Sequence, residues 1–257
     1  MSPTFLLDLA VAAAREAGEL LLERFRRPAR GVETKSSSTD LVSEADRAAE
    51  ELILGRLTEA RPDDGILAEE GGGRTSSSGI TWVVDPLDGT VNYLFRIPVW
   101  SVSIAAADPD GTLIGVVHDP NRAETFTAIR GEGAALNGDP ISVSDRDSLE
   151  QAMIGTGFSY DSEARREQAE RLVRLLPLVR DIRRGGSAAI DLATLACGRF
   201  DGFYEAPMEE WDKAAGVLLI REAGGIVSDL PAPKGLSTGV IAANPELHDE
   251  LRGLVIG

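Results

Sequence analysis

The stretch Trp82 to Thr90, read Trp-Val-Val-Asp-Pro-Leu-Asp-Gly-Thr, restricts the fold of this chain more than any other. The apolar run Ile80 to Val84 reads as a buried strand that stops at Asp85, where Pro86 follows. Pro86 has a fixed φ and no N–H, which suits the first position of a helical turn, so Asp88 is expected one turn from Asp85. Two carboxylates then face one point, and the N–H groups of Gly89 and Thr90 are free to hold an anion such as phosphate. Like charges held this close raise one another's pKa unless a cation lies between them, and a divalent metal is the simplest resolution. Taken alone, Asp-Pro-Leu-Asp-Gly reads equally well as a surface turn, because Asp, Pro and Gly all favour turns.

Charge narrows the partners. With 42 acidic against 26 basic residues, the formal charge of −16 opposes binding to nucleic acid or to an anionic membrane, and favours a small ligand. The 257 residues suffice for one large domain or two small ones. Cys197 is the only cysteine, which excludes an intrachain disulfide, and neither a signal peptide nor an apolar run near ~20 residues is apparent. The expectation is a cytoplasmic protein.

Along the chain, Leu7, Ala10, Val11, Ala14, Ala17, Leu21 and Leu22 recur at helical spacing, predicting an amphipathic helix over Thr4 to Phe25. Gly31 to Ser38 reads as a turn. A second helix is expected after Ser43 as N-cap, with Asp46 in its first turn, where an acid ordinarily serves the helix dipole. Ile66-Leu67-Ala68 predicts a short strand ending on Glu69 and Glu70, which read as a solvated acidic turn or as further acids delivered to a strand end. Gly71 to Gly79, rich in Gly and Ser, is expected to be a flexible excursion. Val99 to Ala107, Leu113 to Val117 and Glu124 to Ile129 predict three antiparallel strands, Gly131 to Gly138 a turn, and Ile141 to Val143 a short strand. His118 has no second His at ligand spacing and reads as structural.

The polar stretch Ser144 to Gln151 marks a subdomain boundary, dividing residues 1–145, an α+β half, from 146–257, an α/β half, within one compact unit. In the second half Ala152 to Thr156 predicts a strand, Ser162 to Leu176 a helix ended by Pro177, and Ala188 to Cys197 an apolar helix with Cys197 buried and inert. Gly185-Gly186-Ser187-Ala188 puts small residues and N–H groups at that helix start, readable as an anion or hydroxyl contact or as a turn capped by Ser187. Phe203-Tyr204-Glu205 ends another strand, and Trp211-Asp212 opens a helix running to Glu222, with Ala214, Ala215 and Gly216 small enough for close approach.

The string Trp82 to Thr90 resembles the metal-binding signature of the inositol monophosphatase family, within the lithium-sensitive, magnesium-dependent phosphatases. The likeness extends to Lys35 through Asp46, to Gly65 through Glu70, and to Trp211-Asp212 with Glu222-Ala-Gly-Gly225. Two stretches depart from familiar members: Ala-Pro-Met-Glu-Glu between Glu205 and Trp211, and Asn92-Tyr93-Leu94-Phe95. The resemblance implies an αβαβα sandwich with an antiparallel-rich first sheet and a second C-terminal sheet, a homodimer, and hydrolysis of a phosphate monoester, inositol 1-phosphate foremost, with histidinol phosphate and fructose 1,6-bisphosphate as alternatives. A non-catalytic metal-dependent regulatory protein is the alternative of another kind.

The same resemblance implies magnesium, with manganese as substitute, held by Glu69, Asp85 and the Leu87 carbonyl at one position and by Asp85, Asp88 and Asp212 at another. Oxygen ligands of this kind suit a hard cation. It further implies that Thr90 with Asp46 activates water, that Glu69 and Lys35 serve the same centre, and that Asp88, Gly89, Thr90, Gly186, Ser187, Ala188, Glu205 and Asp212 bind substrate.

Overall fold

The computed structural model describes residues 2–26, 33–34, 41–42, 44–71, 73–232 and 235–257, the pairs 33–34 and 41–42 by backbone alone. Ser43, Lys35 and most of the expected turn at 31–38 lie outside the described residues.

Helix α1 (Pro3–Phe25) buries Leu6, Ala10, Ala14, Ala17 and Leu21, with Leu7, Val11 and Leu22 at the partly covered margin of the stripe. Two paired strands, β1 (Glu33–Thr34) and β2 (Leu41–Val42), precede α2 (Glu44–Ala60). There follow β3 (Gly65–Ala68), β4 (Gly73–Arg74), β5 (Thr81–Asp88), the short helix α3 (Thr90–Leu94), β6 (Ser101–Asp108), β7 (Gly111–Asp119), β8 (Glu124–Ile129), β9 (Gly133–Leu136) and β10 (Asp139–Pro140). These strands form one eight-stranded sheet in the order β10-β9-β8-β7-β6-β5-β3-β4. Only β3 and β5 are parallel within it, and that pair positions the site. Their last register pair is Ala68 with Val84, after which Glu69 and Asp85 leave side by side at the same edge.

The second sheet takes β11 (Met153–Thr156), then, past α4 (Ser162–Leu175), β12 (Asp181–Arg183), and, past α5 (Ala188–Ala196), β13 (Gly202–Glu205). Helix α6 (Glu210–Glu222), β14 (Ile226–Leu230), β15 (Gly239–Ala243) and α7 (His248–Ile256) complete the chain, with strand order β12-β11-β13-β15-β14. Alternation of side chains across the strands makes three cores. Trp82, Val84, Ile104 and Val116 face α1 and α2. Val83, Ala105 and Val117 face the opposite way, onto Leu192 of α5 and Ala215 and Leu219 of α6, which also receive Phe203 and Ala242 from the second sheet. Ile154, Tyr204 and Ile241 on that sheet's far face meet Leu175 at the end of α4 and Leu251 of α7. The result is the five-layer α/β architecture expected of the sequence. Among the described residues no helix is long and apolar enough to cross a membrane.

The elements differ from expectation at five places, each for a physical reason. Strand β5 does not stop at Asp85 but runs on to Asp88, with a register irregularity against β6 between those residues. Beyond Val84 it has lost β3 as a neighbour, so the missing N–H of Pro86 leaves no ladder bond unmade. The helical turn therefore begins at Thr90, not at Pro86. Within 71–79, Gly73-Arg74 forms an edge strand on β3, pinned because the Arg74 guanidinium donates to the Asp64 carbonyl at 2.6 and 3.0 Å. Within 131–138, Gly133–Leu136 is a strand, and its approach is fixed by the distant Glu222 carboxylate, which accepts from the N–H groups of Gly131 and Gly133 at 2.8 and 2.9 Å. Ile141 and Val143 make single bonds to the Ala134 and Ala223 carbonyls instead of a strand, which lies at Asp139–Pro140. Helix α4 ends at Leu175, and Pro177 sits in a following single 3-10 turn.

His118, within β7, is buried with its Nδ1 at 3.1 Å from Thr125 Oγ1, a structural role as expected. Cys197, expected buried as the last residue of its helix, is instead half-buried as the C-cap just past α5, where its partial burial still pushes the thiol up.

Candidate active site

The end of β5 is where the functional side chains gather. Asp85 Oδ1 accepts from Leu87 N at 3.0 Å, which turns the backbone within the irregular segment and presents the Leu87 carbonyl to Thr90. The Thr90 hydroxyl, at the first position of α3, donates toward that carbonyl at 3.1 Å and toward Asp46 Oδ1 at 2.9 Å. Asp46 stands fully buried in the first turn of α2, which brings that turn against the end of β5. Gly89 precedes Thr90 at φ +95°, a conformation that favours glycine, and a β-carbon there would lie 3.1 Å from the carbonyl oxygens of Gly186 and Val99. Asn92 Nδ2 reinforces the same approach, donating to the carbonyls of Val99 at 2.8 Å and Gly185 at 2.9 Å.

Asp88 joins the two sheets' helical layer to this strand end. Its carboxylate accepts from the Ser187 hydroxyl, from Ala188 N at 3.1 Å and from Ala189 N at 2.8 Å, all at the start of α5. Ser187 also accepts from Ile190 N at 3.3 Å, which makes it the N-cap as expected. Asp212 lies in the first turn of α6, and its carboxylate accepts from Glu209 N at 2.6 Å in a reciprocal capping arrangement. A cavity of about 430 Å³ opens between these elements, lined among others by Glu69, Asp88, Gly89, Ser187, Glu205 and Asp212. Gly186 and Ala188 are in its wall as well; Asp46, Asp85, Leu87 and Thr90 are buried and do not belong to the lining. Of the candidate catalytic, substrate-binding and metal-binding residues, Lys35 is the one that lies outside the described residues.

Electrostatically the site is overloaded with acid. Burial drives the Asp85 carboxyl well above its usual range, and the charges of Glu69, Asp88 and Asp212 push in the same direction. Asp88 is raised by burial, against the pull of its bonds from Ser187, Ala189 and Ala188. Burial takes Asp212 up to about 8, opposed by the Glu209 N–H and aided by Asp88 and Glu69. Glu205, at the end of β13, is likewise pushed to about 8 by burial and by Asp212 and Asp191. A group of carboxylates that hold protons to such values is one that a cation can occupy in their place.

The donor set fits a hard divalent cation, since every candidate ligand is an oxygen. Among the described residues no three such side chains stand at the spacing one ion requires. The reason is visible in their bonds: Asp85 turns an oxygen to Leu87 N, Asp88 gives both to α5, and Asp212 caps α6. Each would exchange such a bond for the ion.

The sequence model of the inositol monophosphatase family matches residues 3–255. This chain belongs to that family. Among relatives, the Nus factor SuhB of Pseudomonas aeruginosa is 44% identical over 234 residues, covering 87% of this chain and 85% of its own. The inositol-1-monophosphatase SuhB of Mycobacterium tuberculosis is 43% identical over 230 residues, covering 86% and 79%. Among solved structures, the IMPase of Thermotoga maritima superposes with a TM-score of 0.88 at 35% identity, covering 97% of this chain and 96% of that one. As an inositol monophosphatase family member the chain is a phosphatase of a metal-dependent family, with the fold of its solved relatives.

Two groups at this candidate site went unread in the sequence. Asp191 lines the cavity from the first turn of α5, takes Gly185 N at 3.2 Å, and is raised to about 7 by burial, with the Gly185 bond opposing and Asp88 adding to the rise. The signal was an acid inside an otherwise apolar helix. Ser101, on β6, stands 3.1 Å from Ser187 Oγ and 3.4 Å from Asp88, and nothing in its strand distinguishes it from any serine.

Proposed function

We propose that this protein hydrolyses a polyol phosphate monoester, inositol 1-phosphate foremost, using magnesium held among Glu69, Asp85, the Leu87 carbonyl, Asp88 and Asp212. The observation that carries this reading is the buried bond from Thr90 Oγ1 to Asp46 Oδ1 at 2.9 Å beside those carboxylates. Metal storage needs neither residue. Divalent cations at such a centre supply Lewis acidity toward phosphoryl oxygens and lower the pKa of water. The chain's own residues do the rest. Thr90 spends its proton on Asp46, which leaves its oxygen lone pairs to accept from an attacking water; the water's proton then moves through that hydroxyl toward the Asp46 carboxylate. The N–H groups of Gly89 and Thr90, at the left-handed start of α3, are suited to the phosphate. Across the cavity Glu205 offers acceptor oxygens for hydroxyls of the organic half, joined by Gly186, Ser187 and Ala188 at the start of α5.

A side-by-side turnover assay on inositol 1-phosphate, histidinol phosphate and fructose 1,6-bisphosphate, with magnesium present and withheld, tests the reading. Metal-dependent turnover fastest on inositol 1-phosphate supports it; preference for histidinol phosphate would move the substrate, and no turnover on any would favour a regulatory role. That second reading has one specific support, the Nus factor name borne by the Pseudomonas aeruginosa relative. The formal charge of −16 weighs against direct contact with nucleic acid, so a regulatory role would run through protein partners. A homodimer in the cytoplasm completes the proposal, the dimer being checked by sedimentation.

A further inference from the structure

We infer that Gln168 is a positioning residue for substrate choice, acting through Glu205; the inference rests on the polyol reading above and adds the device that sets it. Gln168 lies on α4, outside the cavity, and its side chain is buried at 4% exposure in a helix that is otherwise largely polar and open. Its Nε2 donates to the Ala206 carbonyl at 2.6 Å and its Oε1 accepts from Ser159 N at 3.1 Å. The two partners fix the amide's orientation, because reversing it would set carbonyl against carbonyl and N–H against N–H. Ser159 and Pro207, the latter directly after Ala206, both line the cavity, on the two segments that flank Glu205.

Between those segments the Glu205 carboxylate is pressed against the backbone of Gly157, where an added β-carbon would fall 2.0 Å from its Cδ. One step deeper, Thr156 Oγ1 donates to the Tyr204 carbonyl at 2.9 Å and joins the same two walls. Gln168 is thus a cross-tie beyond the end of the β11–β13 ladder, and it joins both walls to α4. An apolar side chain of the same size would fill the space but leave the Ala206 carbonyl and the Ser159 N–H without a partner. What it would lose is the fixed spacing between the segments that hold Glu205 in line with a bound polyol. The loop bearing Ser159 leads into α4 through Asp161, whose carboxylate takes Glu163 N and Ala164 N at 3.0 and 2.9 Å, so loop and helix move as one piece.

The test uses Gln168→Met, close in volume and without the donor and acceptor, and Gln168→Glu, which keeps the acceptor for Ser159 and loses the donor to Ala206. Amide exchange at Ser159, read without substrate, should quicken in the methionine variant. Its KM for inositol 1-phosphate should rise about tenfold with kcat within about twofold, while an aryl phosphate changes by less than about twofold. The glutamate variant should fall between. In a Glu205→Ala background, Gln168→Met should add no further loss on inositol 1-phosphate. Unchanged Ser159 exchange would overturn the clamp, and equal losses on both phosphates, or losses additive with Glu205→Ala, would overturn its action through Glu205. Should the parent protein itself favour no polyol over the aryl phosphate, the polyol reading fails, and Ser159 exchange still decides whether the tie exists.

Discussion

The Glu205 carboxylate lies across Gly157 so closely that no side chain could occupy that position without moving it: a β-carbon would come within 2.0 Å of Oε1. The atoms in the way are the far end of a flexible side chain, so the backbone is spared and the carboxylate is what moves. Gly157→Ala should therefore leave Tm within a few degrees of the parent and reproduce the Glu205→Ala defect, a loss of about tenfold in kcat/KM on inositol 1-phosphate with little change on an aryl phosphate. Equal kinetics on both phosphates would show that Glu205 does not read the organic half.

Thr90 and Asp85 separate water activation from cation binding. Thr90→Ala removes the hydroxyl that Asp46 holds at 2.9 Å and leaves every candidate ligand side chain in place. It should lower kcat by about a hundredfold with the titration midpoint for magnesium retained. Asp85→Asn removes a buried charge from the centre and should weaken both. Normal kcat in Thr90→Ala would eliminate the proposed proton route.

Metal removal should couple activity to pH-dependent stability. In metal-free protein Asp212 and Glu205 keep their protons up to about 8, whereas unfolded carboxyls lose theirs near about 4. Between those values the folded state binds more protons than the unfolded, so the stabilisation present below about 4 is lost as pH rises through about 8. Protein treated with excess EDTA should lose turnover reversibly and melt lower at about pH 8 than at about pH 5, with Glu205→Gln narrowing the difference. Added magnesium replaces the protons and should flatten the slope. A Tm that climbs over that interval in EDTA would contradict the assignment.

Asp64 offers a purely structural control. Its fully buried carboxylate takes two bonds from Arg61 at 2.8 and 2.7 Å, one from Ser78 at 2.6 Å, and one from Trp82 Nε1 at 3.0 Å. Asp64→Ala leaves the indole N–H unpaired at the start of β5 and should cost about 3 kcal/mol. That corresponds to a fall of about 6–12 °C in Tm, with kcat per folded molecule unchanged. A variant with unaltered Tm would mean the network contributes nothing net.

What could be read in advance followed from how local each signal is. Asp85, Leu87, Asp88, Gly89 and Thr90 lie in one run, so they stay together at one strand end even though the turn beneath them is an irregular strand and not the helix that Pro86 suggested. Helix α1 announces itself through periodic apolar residues, and α6 through the Trp211-Asp212 pair at its start. Strand β9 did not, because the Glu222 carboxylate that seats it comes from the far end of α6. The same holds for Gln168, whose partner Ala206 is separated from it by β12, α5 and β13. Sequence pattern reports burial well; it does not report which distant carbonyl a buried amide will meet.

Asp88 receives its bonds from the start of α5, and the remaining acids wait on β13 and α6. A chain leaving the ribosome carries Glu69, Asp85 and Asp88 long before Asp212 has been translated, at a pace of about 5–20 residues per second. Until the later elements arrive, Asp88 lacks the donors that orient it and the pocket has only one wall. On the proposed reading hydrolytic competence would be acquired only near the close of synthesis, and a copy truncated before α6 should be silent toward the phosphates around it.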